Sequence, residues 1–156
     1  MGDTNFQNLN RTLGEMLARA SNPEPPLREI GMLGVGEMKQ NIDEGGRPEK
    51  WKPSIRVQRS GGQTLRLSGA LYNSISFGVG SGTVVWGPGG TASKYAAIQN
   101  FGGTIKAKNK PMLKFFIPGV GWIAKKEVTI PARPFDTVSP ETQMTFGEIL
   151  RAFIVQ

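Results

Sequence analysis

The chain has 156 residues, 38 % of them apolar, and a net charge of +7, which points to one domain with a modest core and argues against wholesale disorder. It contains no cysteine and no histidine, which excludes disulfides, thiolate nucleophiles, the usual zinc sites and every Ser-His or Cys-His arrangement. Acid–base work would fall to carboxylates or lysines alone, and no apolar run reaches the roughly 20 residues that span a bilayer.

The opening "MGDTNFQNLN" lacks the basic-then-apolar pattern of a signal peptide and the Ser or Thr of a myristoylation signal, so a cytoplasmic origin is expected. Residues 1–46 read as two helices. Thr4 and Gln7 have capping-box spacing, and Phe6, Leu9, Leu13, Leu17 and Ala20 share one helical stripe. "SNPEPP" breaks that helix and suits a new helical start. Leu27, Ile30, Gly34, Met38 and Ile42 form the second stripe, where Gly31 and Gly34 are expected to admit another backbone at close range. "EGG" at 44–46 ends it.

Residues 47–66 are basic and broken by Pro48, Pro53 and the Gly61-Gly62 pair, which reads as a long loop anchored by Trp51. The remainder, 67–156, reads as an α+β core of the same single domain. "LSGALYNSI" is a short helical turn with Ser68 as cap, and "SISFGV" and "GTVVWG" are two strands joined by Gly-Ser-Gly as a hairpin. The turn from Lys94 to Phe101 places Tyr95, Ile98 and Phe101 on one face, which sets Phe101 beneath it. Paired glycines stop it at Gly102.

From 104 to 130 four β-like runs carry Lys106, Lys108, Lys110, Lys114, Lys125 and Lys126 before the first acid, Glu127. "KNKP" and "PGVG" are their turn signals. Two antiparallel arms of about a dozen residues each, at about 3.3 Å per residue, would project on the order of 40 Å. Such a protruding ribbon is marginal alone and needs a neighbour. In "TIPARPF", Pro131 and Pro134 hold Ile130 and Arg133 extended, present Arg133 on a stiff segment and set Phe135 as a buried anchor. Ser139 caps a final helix with Pro140 at its first position and Phe146, Ile149, Leu150 and Phe153 as its apolar face.

No constellation of catalytic chemistry emerges. "GMLGVGEMK" and "GVGSG" lack the Gly-Lys-Ser/Thr and the strand-then-helix setting of a phosphate loop, and their glycines read as packing and turn residues. Asp43, Glu44 and Glu49 have no second cluster to complete a metal or acid–base pair, and read as a solvated helix end. Trp51, Trp86 and Trp122 among basic residues form a candidate stacking platform for single strands, although Trp86 in a β-run reads better as core or interface packing. No catalytic residue, metal or cofactor is assigned.

Charge is segregated. Residues 1–49 hold five basic and eight acidic side chains, 50–135 hold thirteen basic ones against Glu127 alone, and 136–156 have one basic against three acidic. A basic middle can neutralise nucleic-acid phosphates, meet the acidic face of another copy, or simply be solvated.

"WKP", "LRLSGALYNSIS", "VVWG", "KYAAIQNFGGTIKAKN" and "KKEVTIPARPF", in that order before a C-terminal helix, resemble the phage virion morphogenesis family, the tail-completion group of Mu-like G and P2-like S proteins. The resemblance covers roughly residues 48–155. Gln99, where members often carry His, and Asp136, where they often carry an aliphatic residue, depart from it at positions without a catalytic role. The resemblance implies a non-enzymatic virion protein at the head–tail joint, assembled in the host cytoplasm, acting in tail completion and head–tail joining. It further implies a homo-oligomeric ring of six copies by analogy with tail symmetry. Neighbouring neck, adaptor and tail-tube proteins would be its partners, genomic DNA would pass through it, and no membrane is involved. Trp51, Lys106, Lys108, Lys110, Phe115, Phe116, Trp122 and Arg133 are the expected interface residues; Tyr95, Phe101, Gly102, Pro131, Pro134 and Phe135 are the expected structural ones. The alternative is a nucleic-acid-binding protein that uses the basic middle segment.

Overall fold

The structure, a computed structural model, describes residues 2–156, with side chains from Asn5 onward. It is an α+β chain: α1 (Gly2–Ser21), α2 (Glu24–Glu44), α3 (Ile55–Ser60), α4 (Ala70–Asn73), β1 (Ile75–Gly80), β2 (Thr83–Pro88), α5 (Ser93–Phe101), β3 (Gly103–Lys106), β4 (Leu113–Ile117), β5 (Gly121–Lys125), β6 (Glu127–Ile130) and α6 (Pro140–Val155). The strands make three two-stranded sheets, β1-β2, β3-β6 and β4-β5. α1 already begins at Gly2, ahead of the expected cap at Thr4, whose side chain lies outside the described residues.

Two compact units organise the chain. One comprises the chain up to Val35, Phe77–Trp86 and Val138–Gln156. In it, α2 buries Leu27 and Ile30, and its glycines make room for rings. A Cβ at Gly34 would stand 2.5 Å from the Trp86 indole, and one at Gly31 would strike the Phe77 ring. The close approach expected at Gly31 and Gly34 is therefore by aromatic side chains, not by a backbone. Trp86 meets Phe146 of α6 edge-on at 5.9 Å, a favoured aromatic geometry. The β1-β2 hairpin turns through Ser81 (φ 51°) and Gly82 (φ 72°), the left-handed pair that matches strand twist. Ser139 Oγ accepts the Thr142 N–H at 3.2 Å and caps α6 behind Pro140. Arg19 of α1 donates to the Ile154 carbonyl of α6 at 3.3 Å. The apolar stripe of α1 is nevertheless uncovered: Phe6, Leu9, Leu13 and Leu17 are all exposed.

The second unit comprises Gly36–Ser76 and Gly87–Thr137. Met38 and Ile42 of α2, Leu71, Ile75, Ala92, Ala96 and Phe135 are its buried apolar residues. α2 ends where Gly46 donates to the Asn41 carbonyl at 2.9 Å, with Gly45 and Gly46 at φ 72° and 112°. Residues 47–66 are not the continuous loop expected, because Ser54 Oγ accepts from the Val57 N–H and starts the short helix α3. Asp43 then holds the far end of this segment. It accepts from Arg66 at 2.6 Å and from the Tyr72 hydroxyl at 2.8 Å, a bond that raises the Tyr72 pKa.

The 104–130 ribbon is antiparallel but interrupted. Lys106 pairs with Glu127 and Leu113 with Lys125, so residues 107–112 stand opposite Lys126 alone. The "KNKP" turn lies inside one arm and breaks the uniform ribbon expected there into two ladders. The ribbon's tip is also held, since Ser60 of α3 donates to the Pro118 carbonyl at 3.0 Å.

Candidate functional site

The corner after β6 is built from the one direction proline allows. Pro131 and Pro134 have no N–H to satisfy. Between and after them, Arg133 N–H donates to the Gln99 and Asn100 carbonyls at 3.0 and 3.1 Å, and Phe135 N–H donates to Asn100 Oδ1 at 2.9 Å. Asp136 N–H shares that oxygen at 3.3 Å. From α2, the Asn41 amide donates to the Phe135 and Thr137 carbonyls at 3.2 and 2.8 Å. Arg47 Nε donates to Asn41 Oδ1 at 2.9 Å while its other arm pairs with Glu37 at 2.9 Å. Phe135 sits inside this frame, 2 % exposed. Gly102 permits the close pass: it has φ 71°, and a Cβ there would lie 2.6 Å from the Ala132 nitrogen.

Phe101 is corrected. It is 73 % exposed, not tucked beneath its own turn. α5 buries the Ala96–Asn100 side in preference to the Tyr95–Phe101 side because the backbone N–H groups of Phe135 and Asp136 need the Asn100 oxygen. Asn41, Asn100, Arg47 and Glu37 were not singled out from sequence. Their signal was available: Asn41 adjoins an apolar helical stripe that includes Met38, where a residue of poor helix propensity needs a reason.

Beside the corner, and wholly within the second unit, lies a groove of about 770 Å³. The half-covered face of β4-β5 supplies Phe115 and Ile123, the segment around α3 and α4 supplies Ile55 and Leu67, and Tyr95 and Arg133 line it too. Lys52, Arg56 and Lys125 add positive charge, and no acidic residue lines it. Arg133 is 6 % exposed, and its Nε is buried with no hydrogen-bond partner. Its Nη1 donates to a neutral group, Gln99 Oε1, at 3.3 Å. Burial without a counter-ion lowers the guanidinium pKa from its ordinary value.

Of the other expected interface residues Phe115 and Phe116 border the groove, and the rest do not converge there. Strand alternation sends Phe116 and Trp122 to the open face of β4-β5. They stand opposite in register with rings 5.8 Å apart, and Trp122 is 78 % exposed. Lys106 pairs with Glu127 at 3.6 Å, while Lys108 and Lys110 are exposed in the insertion between β3 and β4. Trp51 is half-buried against Gly46, Pro131 is exposed at the edge of the groove, and Pro134 is exposed. Among the described residues no group of three or more carboxylates could hold a metal, and no helix is long and apolar enough to cross a membrane.

The family model for phage virion morphogenesis matches residues 4–154, nearly the whole chain. The chain belongs to the phage virion morphogenesis family. No curated protein and no solved structure gives a significant match. Membership gives this phage protein a structural or assembly role in the virion, and its α+β architecture with antiparallel pairing and helices at both ends is the one expected from sequence.

Proposed function

We propose that this virion morphogenesis protein is a non-enzymatic component of the head–tail joint. It forms a closed ring, of six copies by analogy with tail symmetry, that completes the tail and receives the head. The observation that carries the reading is the open face of β4-β5, where the Phe116–Trp122 pair stands in solvent on a ribbon crowded with lysines. Exposed aromatics of this kind anchor interfaces, while surrounding charges steer register at about 0–1 kcal/mol per exposed pair. Such a face suits docking onto a neighbouring ring, while a heterologous contact between copies either closes into a ring or runs on as a filament. Replacing Phe116 and Trp122 by serine is expected to leave a folded chain and produce unjoined heads and tails under the electron microscope. Infectious particles from that double variant would refute the reading.

The exposed lysines from 106 to 126 favour a second reading, in which the ribbon faces nucleic acid. Retention of duplex DNA by the purified protein, falling steeply as salt rises, would support it.

A further inference from the structure

The groove of the second unit presents a problem in physical chemistry that the chain alone does not solve. Arg133 is nine-tenths buried, lines an apolar groove, forms no ion pair among the described residues and leaves Nε without an acceptor. A buried cation is costly unless a carboxylate or phosphate reaches it. The apolar lining argues for a carboxylate carried on an apolar segment, since a bare phosphate would leave Phe115, Ile123 and Leu67 facing water.

The chain itself carries such a segment. On α6, Met144, Glu148, Ala152 and Val155 follow one another at spacings of three or four, so they share a face. All four are exposed, with Met144 and Val155 among the exposed large apolar residues. Glu148 makes no ion pair among the described residues. This is an apolar stripe with one free carboxylate in its middle. It is the complement of an apolar groove with one free guanidinium.

We propose that the groove receives α6 of a second copy, with Met144 and Val155 against its apolar walls and the Glu148 carboxylate paired with Arg133. The inference rests on the ring reading and deepens it: a groove on one copy that takes a helix of the next is a heterologous contact, repeated from copy to copy until the ring closes. It also divides the labour of assembly. The groove joins like subunits, and the open face of β4-β5 stays available for the neighbouring ring.

The absence of cysteine makes the test clean. A Glu148→Cys chain is mixed with a Leu67→Cys chain under mild oxidation, Leu67 being an exposed residue of the groove. The expected product is a disulfide-linked heterodimer, and a chain with both substitutions gives a covalent ladder ending in a closed ring. A monomer with both cysteines joined internally would overturn the inference, as would homodimers linked only through residue 148. Glu148→Gln, at an exposed helical position, is expected to weaken self-association by more than about tenfold without altering the fold. Normal rings from Glu148→Gln, together with no 67–148 cross-link between the two cysteine chains, overturn the groove while leaving the ring. A chain that never self-associates, alone or on purified tails, overturns both. Cross-linking of Leu67→Cys to a different virion protein in place of its own kind would assign the groove to that partner and refute a second copy.

Discussion

Around Phe135 in the second unit, the N–H groups of Arg133, Phe135 and Asp136 and the carbonyls of Phe135 and Thr137 are taken up by Asn41, Asn100 and the end of α5, and the ring itself is closed off from water. Along α1 in the first unit, a stripe of Phe6, Leu9, Leu13 and Leu17 runs for much of the helix with each side chain at least half in solvent. Both stretches are rich in apolar residues, so apolar content alone does not decide what is covered. The second unit has polar atoms placed to satisfy a bent backbone, which fixes where its apolar anchor must sit. The first has rings wedged on glycines around α2, and its outer helix is left with a face to spare.

The largest effect is expected at the anchor. Phe135→Ala removes a buried ring held from two sides and is expected to lower unfolding stability by about 3–5 kcal/mol, measured from denaturant midpoints. An unchanged midpoint would show that the corner is shaped by its hydrogen bonds alone. Next comes the frame. Asn100→Ala leaves the Phe135 and Asp136 N–H groups without their acceptor, at a cost of about 1–3 kcal/mol. A loss below about 0.5 kcal/mol would mean that solvent reaches those groups, so that the contrast with α1 is one of degree.

The glycine wedge tests the first unit on its own terms. Gly34→Ala puts a methyl group 2.5 Å from the Trp86 ring and is expected to destabilise by about 1–3 kcal/mol. Alanine favours helix over glycine by about 1 kcal/mol, so a net gain in stability would show that Trp86 moves aside at little cost. Gly14→Ala on α1, where a Cβ would meet nothing within 4 Å, is the internal control and should stabilise.

Periodicity made the helices legible, because burial along α2 at Leu27, Ile30, Met38 and Ile42 repeats with the helical turn. Gly-Ser-Gly gave the hairpin and Ser139-Pro140 the last helix for equally local reasons. What escaped was decided at long range. Which face of α5 turns inward depends on two N–H groups some 35 residues away, and no stripe on α5 records them. The break in the ribbon comes at a turn signal, "KNKP", that is legible in the sequence, but a turn signal alone does not say that it interrupts an arm between two ladders. The lysines and aromatics proposed as interface residues were visible as types. Their division between the groove and the open face follows from strand register, which a single unpaired stretch of sequence does not set.

The smallest expected effect lies on α1. Leu13 and Leu17 are 52 % and 68 % exposed, so the folded chain removes less than half of either side chain from water. Replacing both by serine forfeits little of the burial that folding achieves, and the exposed changes should each stay within about 0.5 kcal/mol. The thermal midpoint of the purified protein is therefore expected to be nearly unchanged, while Phe135→Ala under the same conditions melts far earlier. A loss of about 2 kcal/mol or more in the double serine variant would show that the stripe is covered within the folded chain in solution. The amphipathic pattern of α1 would then have the same cause as that of α2, and the contrast between the two units would disappear.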